Sequence, residues 1–243
     1  TAFPAGINSG SGAGTQTAGL IAGGNSPSRT NAAFEYDGSS WTATNNLPGA
    51  MDNLANCGTE TQSNVIMAVG RTPASGNSGT NQSVTYDGTN FASGPNHVTT
   101  RMFNTVSGAG TGTAGLIIGG FIDPSPNAMT NCEEYDGSAW ATTGSLNVAT
   151  GFATAFGTQT NAVTQVNSPN YEGSEQYNGS AWSALPNIGI TSPGGLYGSS
   201  AGATGDAGWI SSMSPTYNKT AEWNFTTNTF TAAAWASAPS IGT

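Results

Sequence analysis

Seven residues of this 243-residue chain are candidates for ligand binding, and all seven fall in segments with loop-like sequence. They are Arg29, Arg71, Arg101, Phe121, Tyr171, Tyr217 and Lys219. A guanidinium group pairs with a carboxylate through two parallel hydrogen bonds, and an aromatic ring offers a flat apolar face beside polar groups. If the fold brings these residues together, they form a surface suited to a sugar or a carboxylate.

The residues needed for catalysis are scarce. His97 is the single histidine, which leaves too few bases and ligands for a catalytic triad, a metal cluster or a copper-radical centre. We expect His97 to be an ordinary loop residue. The sequence therefore predicts a protein that is not an enzyme and that holds no catalytic residue, metal or cofactor.

Three aspartates stand directly before glycines and could be imagined as calcium ligands. They are Asp37, Asp87 and Asp136. Each is isolated, without the alternating carboxylates that calcium-binding loops contain. Because Asp-Gly pairs are favoured in tight hairpin turns, we interpret these aspartates as turn residues.

The three aspartates belong to a short sequence phrase that the chain repeats. It occurs as FEYDGSSW, VTYDGTNF, EEYDGSAW, EQYNGSAW and a divergent AEWNFTTNTF, with aromatic anchors at Tyr36, Tyr86, Tyr135, Tyr177 and Trp223. The anchors are 50, 49, 42 and 46 residues apart. A second, apolar phrase such as AGLIIGG precedes each anchor, so two markers with one period indicate a repeat architecture.

The third repeat shows what each unit contains. TAGLIIGG from Thr113 predicts the second strand of the repeat, which is buried on both faces. NCEEY predicts the third strand, Asp136-Gly137 a two-residue turn and SAWATT the fourth strand. This register places Tyr135 and Trp140 near each other across the hairpin. With four strands per repeat and no helical periodicity, the chain predicts an all-β, five-bladed propeller with approximate blades 1–48, 49–97, 98–146, 147–187 and 188–243.

A propeller would gather the candidate ligand-binding residues. Serine-proline or threonine-proline pairs mark the connections between second and third strands, and we expect these connections to emerge on one rim, with the four cations sharing that face. The alternatives are a glycan-binding rim, or solvated loops and a protein-docking surface. Cys57 and Cys132 occupy non-equivalent repeat positions, so we expect two free buried thiols, with a disulfide as the alternative.

The composition restricts the partners. The net charge is -9, and four basic residues face thirteen acidic ones, whereas binding to phosphate backbones needs clustered cations. No apolar run reaches the roughly 18 residues that span a bilayer. We expect no binding to nucleic acid and no insertion into a membrane.

Taken together, Gly119-Gly120 closing the second strand, Tyr135-Asp136 in the third and Trp140 five residues after the tyrosine resemble the kelch repeat. The charge-poor Gly/Ser/Thr/Asn composition is similar to kelch-like proteins of tailed phages, especially marine ones. This resemblance implies a structural or host-contact module in a virion or extracellular setting, with other virion proteins or host glycans as partners and a possible homo-oligomer. Two alternatives remain: a free lectin-like propeller and a sialidase-like hydrolase, the latter suggested by the arginines and the DGSSW string.

Overall fold

The computed structural model describes residues 3–4, 6–25, 27–57, 61–68, 70–76, 78–101, 109–122, 127–151, 154–166, 172–189, 199–211 and 220–233. Every secondary structure element within these ranges is a β-strand. Five four-stranded antiparallel sheets are arranged as a five-bladed β-propeller, which confirms the predicted fold class. We number the sheets as blades 1 to 5 in chain order.

The strands have the following bounds. Blade 1 contains β1 (Ser11–Thr15), β2 (Ala18–Ala22), β3 (Ala33–Tyr36) and β4 (Trp41–Ala43). Blade 2 contains β5 (Ala55–Asn56), β6 (Val65–Ala68), β7 (Ser83–Tyr86) and β8 (Phe91–Ser93). Blade 3 contains β9 (Ala109–Thr111), β10 (Ala114–Ile118), β13 (Cys132–Tyr135) and β14 (Trp140–Thr143), with a small hairpin, β11 (Phe121–Ile122) and β12 (Asn127–Ala128), inserted between β10 and β13. Blade 4 contains β15 (Ala155–Thr158), β16 (Asn161–Val166), β17 (Gly173–Tyr177) and β18 (Trp182–Leu185). Blade 5 contains β19 (Ser199–Thr204), β20 (Ala207–Ser211), β21 (Thr220–Asn224) and β22 (Thr229–Ala233).

Each blade is a simple meander in which successive strands pair in chain order. The first strands of neighbouring blades contact each other, as β1 contacts β5, and β15 contacts both β9 and β19. The first strand of a blade therefore lies nearest the ring axis and the fourth lies outermost. This arrangement brings the connections between second and third strands to the same rim as the linkers between blades.

The hairpin turns lie one residue later than predicted. In blade 3, Tyr135 pairs with Trp140 and the Asp136 amide donates to the Ala139 carbonyl at 3.2 Å, so the central turn residues are Gly137 and Ser138. Gly137 has a positive φ of 93°. Asp136 instead precedes the turn, where its carboxylate accepts from the Ser138 and Ala139 amides at 2.8 Å each.

The predicted aromatic pair across this hairpin is confirmed and recurs in every blade. The rings of Tyr135 and Trp140 are 5.1 Å apart. Equivalent pairs have centroid separations of 4.3 to 5.1 Å: Tyr36 with Trp41, Tyr86 with Phe91, Tyr177 with Trp182, and Trp223 with Phe230. Rings at this distance contribute about 0.5–1.5 kcal/mol beyond their area burial.

The core lies between the blades, because side chains of one strand alternate between its two faces. On β2, Leu20 and Ala22 face blade 2, where Val65 and Met67 of β6 meet them. A second apolar cluster joins blades 2, 3 and 4, and a third joins blades 4 and 5. The described members of these three clusters do not extend across the interface between blades 5 and 1.

Candidate functional site

Two of the predicted ligand-binding residues, Arg29 and Arg71, meet on the rim over one buried carboxylate. Asp52, in the linker between blades 1 and 2, is fully buried. Arg29 donates from Nε to Asp52 Oδ1 at 2.9 Å. Arg71 donates from Nε to the same oxygen at 3.1 Å and from Nη2 to Oδ2 at 2.7 Å. The fold thus brings these two residues together.

This cluster carries two positive charges against one negative charge. Arg29 also donates to the carbonyls of Thr72 at 3.3 Å and Gly76 at 2.5 Å, so it ties the β2–β3 connection to blade 2. The exposed fractions of the side chains are 18% for Arg29 and 15% for Arg71. The surplus charge favours an anion at the rim, but less than a fifth of each arginine side chain is exposed to it.

Arg101 lies apart from this pair and is fully buried between blades 2 and 3. Its Nη2 donates to Glu133 Oε1 at 2.6 Å, and its Nη1 donates to the carbonyls of Asn131, at 3.1 Å, and Gly119. Burial raises the pKa of Glu133, but the adjacent Arg101 charge outweighs burial and the pKa is held below its usual value. A guanidinium in this position braces an interface and presents no surface to a ligand.

The predicted aromatic residues are placed less favourably for recognition. Phe121 is 8% exposed, and its ring lies so close to Gly151 that a side chain at that glycine would overlap it. Tyr171, Tyr217 and Lys219 lie outside the described residues. The described part of the rim therefore contains one cationic pair without an adjoining aromatic platform from the predicted set.

A cleft of about 470 Å³ opens beside the Thr72-Pro73 connection. One wall is formed by the linker from Pro48 to Met51, and the other by blade 2. Its lining residues include Gln82 and Asn96, whose side chains end in amides, beside the apolar Pro73 and Val84. Its size falls in the range of small-ligand sites, which are about 300–1,000 Å³. Its size and its mixed polar and apolar lining would admit a small ligand.

His97 is a buried structural residue. It is 1% exposed, its Nδ1 lies 2.8 Å from the Thr99 carbonyl, and its ring packs edge-on against Trp140. Its Nε2 is buried without a hydrogen-bond partner. Burial lowers the pKa of His97 to about 4. The imidazole is therefore neutral at physiological pH, lies in an interface and is not among the residues that line the cleft beside Thr72-Pro73.

The two cysteines are free and buried, as expected. Burial raises the pKa of Cys57 to about 12 and that of Cys132 to about 11. Because the thiolate is the reactive form, both side chains are unreactive at neutral pH.

The three aspartates before the glycines have the turn role expected from the sequence. Asp37 Oδ1 accepts from the amides of Ser39 and Ser40 at 2.8 Å each. Hydrogen bonds from the Ser40 and Ser39 amides hold the pKa of Asp37 well below its usual value. Asp87 and Asp136 make the same bonds and their pKa values are also lowered.

Sequence reasoning missed the carboxylates that anchor the linkers. Glu133 accepts from the amides of Val98 at 2.6 Å and Thr99 at 3.0 Å, and Glu175 accepts from the amides of Asn147 and Val148 at 2.9 Å each. Both glutamates stand two residues before the repeat tyrosine. That shared position is a signal in the sequence, but their partners are set by the path of the linker.

Among the described residues, no group of three histidine, cysteine or acidic side chains is arranged to hold a metal ion, and no helix could cross a bilayer. Comparison of the chain with protein-family models finds no matching family, and comparison with curated proteins finds no relative.

Proposed function

We propose that this chain is a non-enzymatic structural or host-contact module of a phage virion, built on a kelch-like propeller. The observation that carries the proposal is where the buried charges lie. Asp52, Glu133 and Glu175 each join a linker or loop of one blade to its neighbour. Ionisable groups placed in this way stiffen a platform, which suits a module that presents surface loops to a partner.

The proposed setting follows from composition and resemblance. The repeats and the charge-poor Gly/Ser/Thr/Asn surface are similar to kelch-like phage proteins, which favours a virion or extracellular location. Three of the four cations are engaged with Asp52 or Glu133. This leaves no cationic stripe among the described residues for nucleic acid, so we propose other virion proteins or host glycans as partners.

The test is to locate the chain in the particle. Antibodies against the purified protein would be used for immunogold electron microscopy of virions produced from the same genome, with mass spectrometry of the same preparation. Regular labelling at one site of the virion, with stoichiometric peptides, is expected. Absence of both label and peptides from intact particles would overturn the structural role.

A second candidate function, glycan binding, is favoured by the cleft beside Thr72-Pro73. Gln82 and Asn96 would hydrogen-bond a neutral sugar there. On a glycan array we expect saturable binding that Asn96→Ala and Gln82→Ala weaken, while Thr42→Ala, on the exposed outer strand of blade 1, leaves it unchanged. Tyr171→Ala and Tyr217→Ala test whether the wider rim contributes. A uniformly negative array removes this candidate.

A further inference from the structure

Blades 1 and 2 are joined by a specific set of polar contacts. Gln62, in the turn between β5 and β6, donates from Nε2 to the carbonyls of Gly19 at 2.8 Å and Tyr36 at 3.4 Å. Tyr86 of blade 2 donates its hydroxyl to Glu35 Oε1 of blade 1 at 2.8 Å. We call this combination of a glutamine and a tyrosine on one blade with a glutamate on the preceding blade the clamp.

The clamp recurs between blades 3 and 4. Gln159 donates to the carbonyls of Gly115 at 3.1 Å and Tyr135 at 2.7 Å, and Tyr177 donates to Glu134 Oε1 at 2.7 Å. Gly115 and Tyr135 face each other across β10 and β13, as Gly19 and Tyr36 do across β2 and β3. The two clamps thus occupy the same repeat positions and the same places in the register.

The interfaces between blades 2 and 3 and between blades 4 and 5 are built differently. In blade 2, Thr85 stands at the repeat position of Glu35 and Glu134. In blades 3 and 5, Gly112 and Gly205 stand at the repeat position of Gln62 and Gln159. These glycines lie so close to Asn64 and Asn161, respectively, that a side chain would overlap them. Close approach of the backbone therefore takes the place of the clamp at these two interfaces.

At the ring-closing interface, by contrast, all three clamp residues are present. Blade 1 supplies Gln16 and Tyr36, and blade 5 supplies Glu222, each at the repeat position of its counterpart. The glutamine acceptors also exist, because Gly208 and Trp223 are paired across β20 and β21. Tyr36 also forms the aromatic pair of its own blade, so it is the presence of Gln16 opposite Glu222 that points to a clamp at this interface.

In the structure, Gln16 and Tyr36 form no hydrogen bond with the described residues of blade 5. Gln16 and Glu222 are exposed, and the Tyr36 hydroxyl donates to the Gly38 carbonyl of its own turn at 2.8 Å. Tyr36 and Trp41 are only half-buried, whereas Tyr86 and Tyr177 are at most 2% exposed. A cavity of about 700 Å³ separates β1, β2 and Trp41 from Phe156 and residues 200–203.

We propose that blades 5 and 1 close the ring through a third clamp, in which Tyr36 donates to Glu222 and Gln16 donates to the carbonyls of Gly208 and Trp223. The arrangement with the cavity is the open form of this seam. Closure covers the surface of Tyr36 that is still exposed, and that part of Trp41 which its edge-on contact with Phe3 leaves exposed, and it forms a hydrogen bond to a charged carboxylate. Both changes favour the closed form.

A double-mutant cycle in the full chain tests the clamp. Tyr36→Phe, Glu222→Ala and the double variant would be compared in urea unfolding, followed by fluorescence and circular dichroism in the same samples. The pair Tyr86→Phe with Glu35→Ala is the positive control. The pair Tyr135→Phe with Thr85→Ala is the negative control, since this interface has no glutamate acceptor.

We expect Tyr36 and Glu222 to couple like the positive control, by about tenfold in the unfolding equilibrium constant, as for one hydrogen bond to a charged group. Coupling no larger than in the negative control overturns the proposal. The cycle is repeated at two protein concentrations. Coupling that grows with concentration also overturns it, because the bond would then join separate copies.

Discussion

Replacing His97 with leucine should stabilise the propeller, and more so in acid. The repeat positions equivalent to His97 are Leu47, Leu146 and Ile188, because each backbone amide donates to the segment before the third strand of its own blade. Leu146 coexists with the linker-binding Glu175, so a leucine is compatible with the neighbouring carboxylate. His97 is thus a polar exception at an apolar position.

The magnitude at neutral pH combines two opposing changes. Removing the buried Nε2, which has no partner, relieves about 1–3 kcal/mol. Losing the bond between Nδ1 and the Thr99 carbonyl costs about 0.5–1.5 kcal/mol. We therefore expect His97→Leu to stabilise the protein by about 1 kcal/mol at pH 7.

Lowering the pH increases the stability difference between the leucine variant and the wild type further. Burial depresses the pKa of His97 from 6.5 to about 4, so the unfolded chain binds the proton first. The stability that depends on a neutral His97 is fully present above pH 6.5 and is lost as the pH falls from there towards 4. Between pH 7 and pH 5 the wild type loses about 2 kcal/mol through this group. The leucine variant lacks this loss, and no other histidine contributes because the chain has one.

The assay is urea unfolding of both proteins at pH 7 and pH 5, followed by tryptophan fluorescence. The difference between their unfolding free energies should widen by about 2 kcal/mol in acid. An equal response of the two proteins to pH would refute the assignment of a depressed pKa to a buried imidazole. A variant less stable than the wild type at both pH values would refute the packing argument as well.

Three further outcomes can be measured directly. Glu133→Gln should destabilise by about 3–5 kcal/mol, because it leaves Arg101 buried without a counter-charge; thermal unfolding would show this, and an unchanged midpoint would contradict it. Gly110→Ala should lower the midpoint more than Gly76→Ala, since both need positive φ but only Gly110 meets the Ala114 carbonyl; equal effects would argue against that contact. A soluble aromatic disulfide reagent should leave Cys57 and Cys132 unmodified in the native protein and label both after unfolding; rapid native labelling would contradict their burial.

Much of the fold could be predicted because its determinants are local. The repeated aromatic anchors and the Asp-Gly or Asn-Gly pairs each act within about ten residues, so they specify the third strand, the turn and the fourth strand wherever they occur. The one-residue shift of the turn reflects a competing local interaction. The Asp136 carboxylate binds the amides that follow, which places the aspartate before the turn and leaves positive φ to Gly137.

The candidate site was less accessible to sequence reasoning. Arg29, Arg71 and Arg101 look alike as isolated loop cations in a charge-poor chain. Only the paths of the linkers place Asp52 beneath the first two and Glu133 against the third. The same is true of Phe121, whose burial depends on the approach of Gly151.

By itself, the sequence determined that five similar sheets form and which aromatic pairs fill them, because strand alternation and hairpin turns depend on neighbouring residues. The tertiary structure alone decided which charges are buried and which carboxylates meet which linkers. It also decided that the seam between blades 5 and 1 differs from the other interfaces. Those outcomes depend on contacts between residues distant in the chain, whose energies are set by burial and geometry that no local pattern encodes.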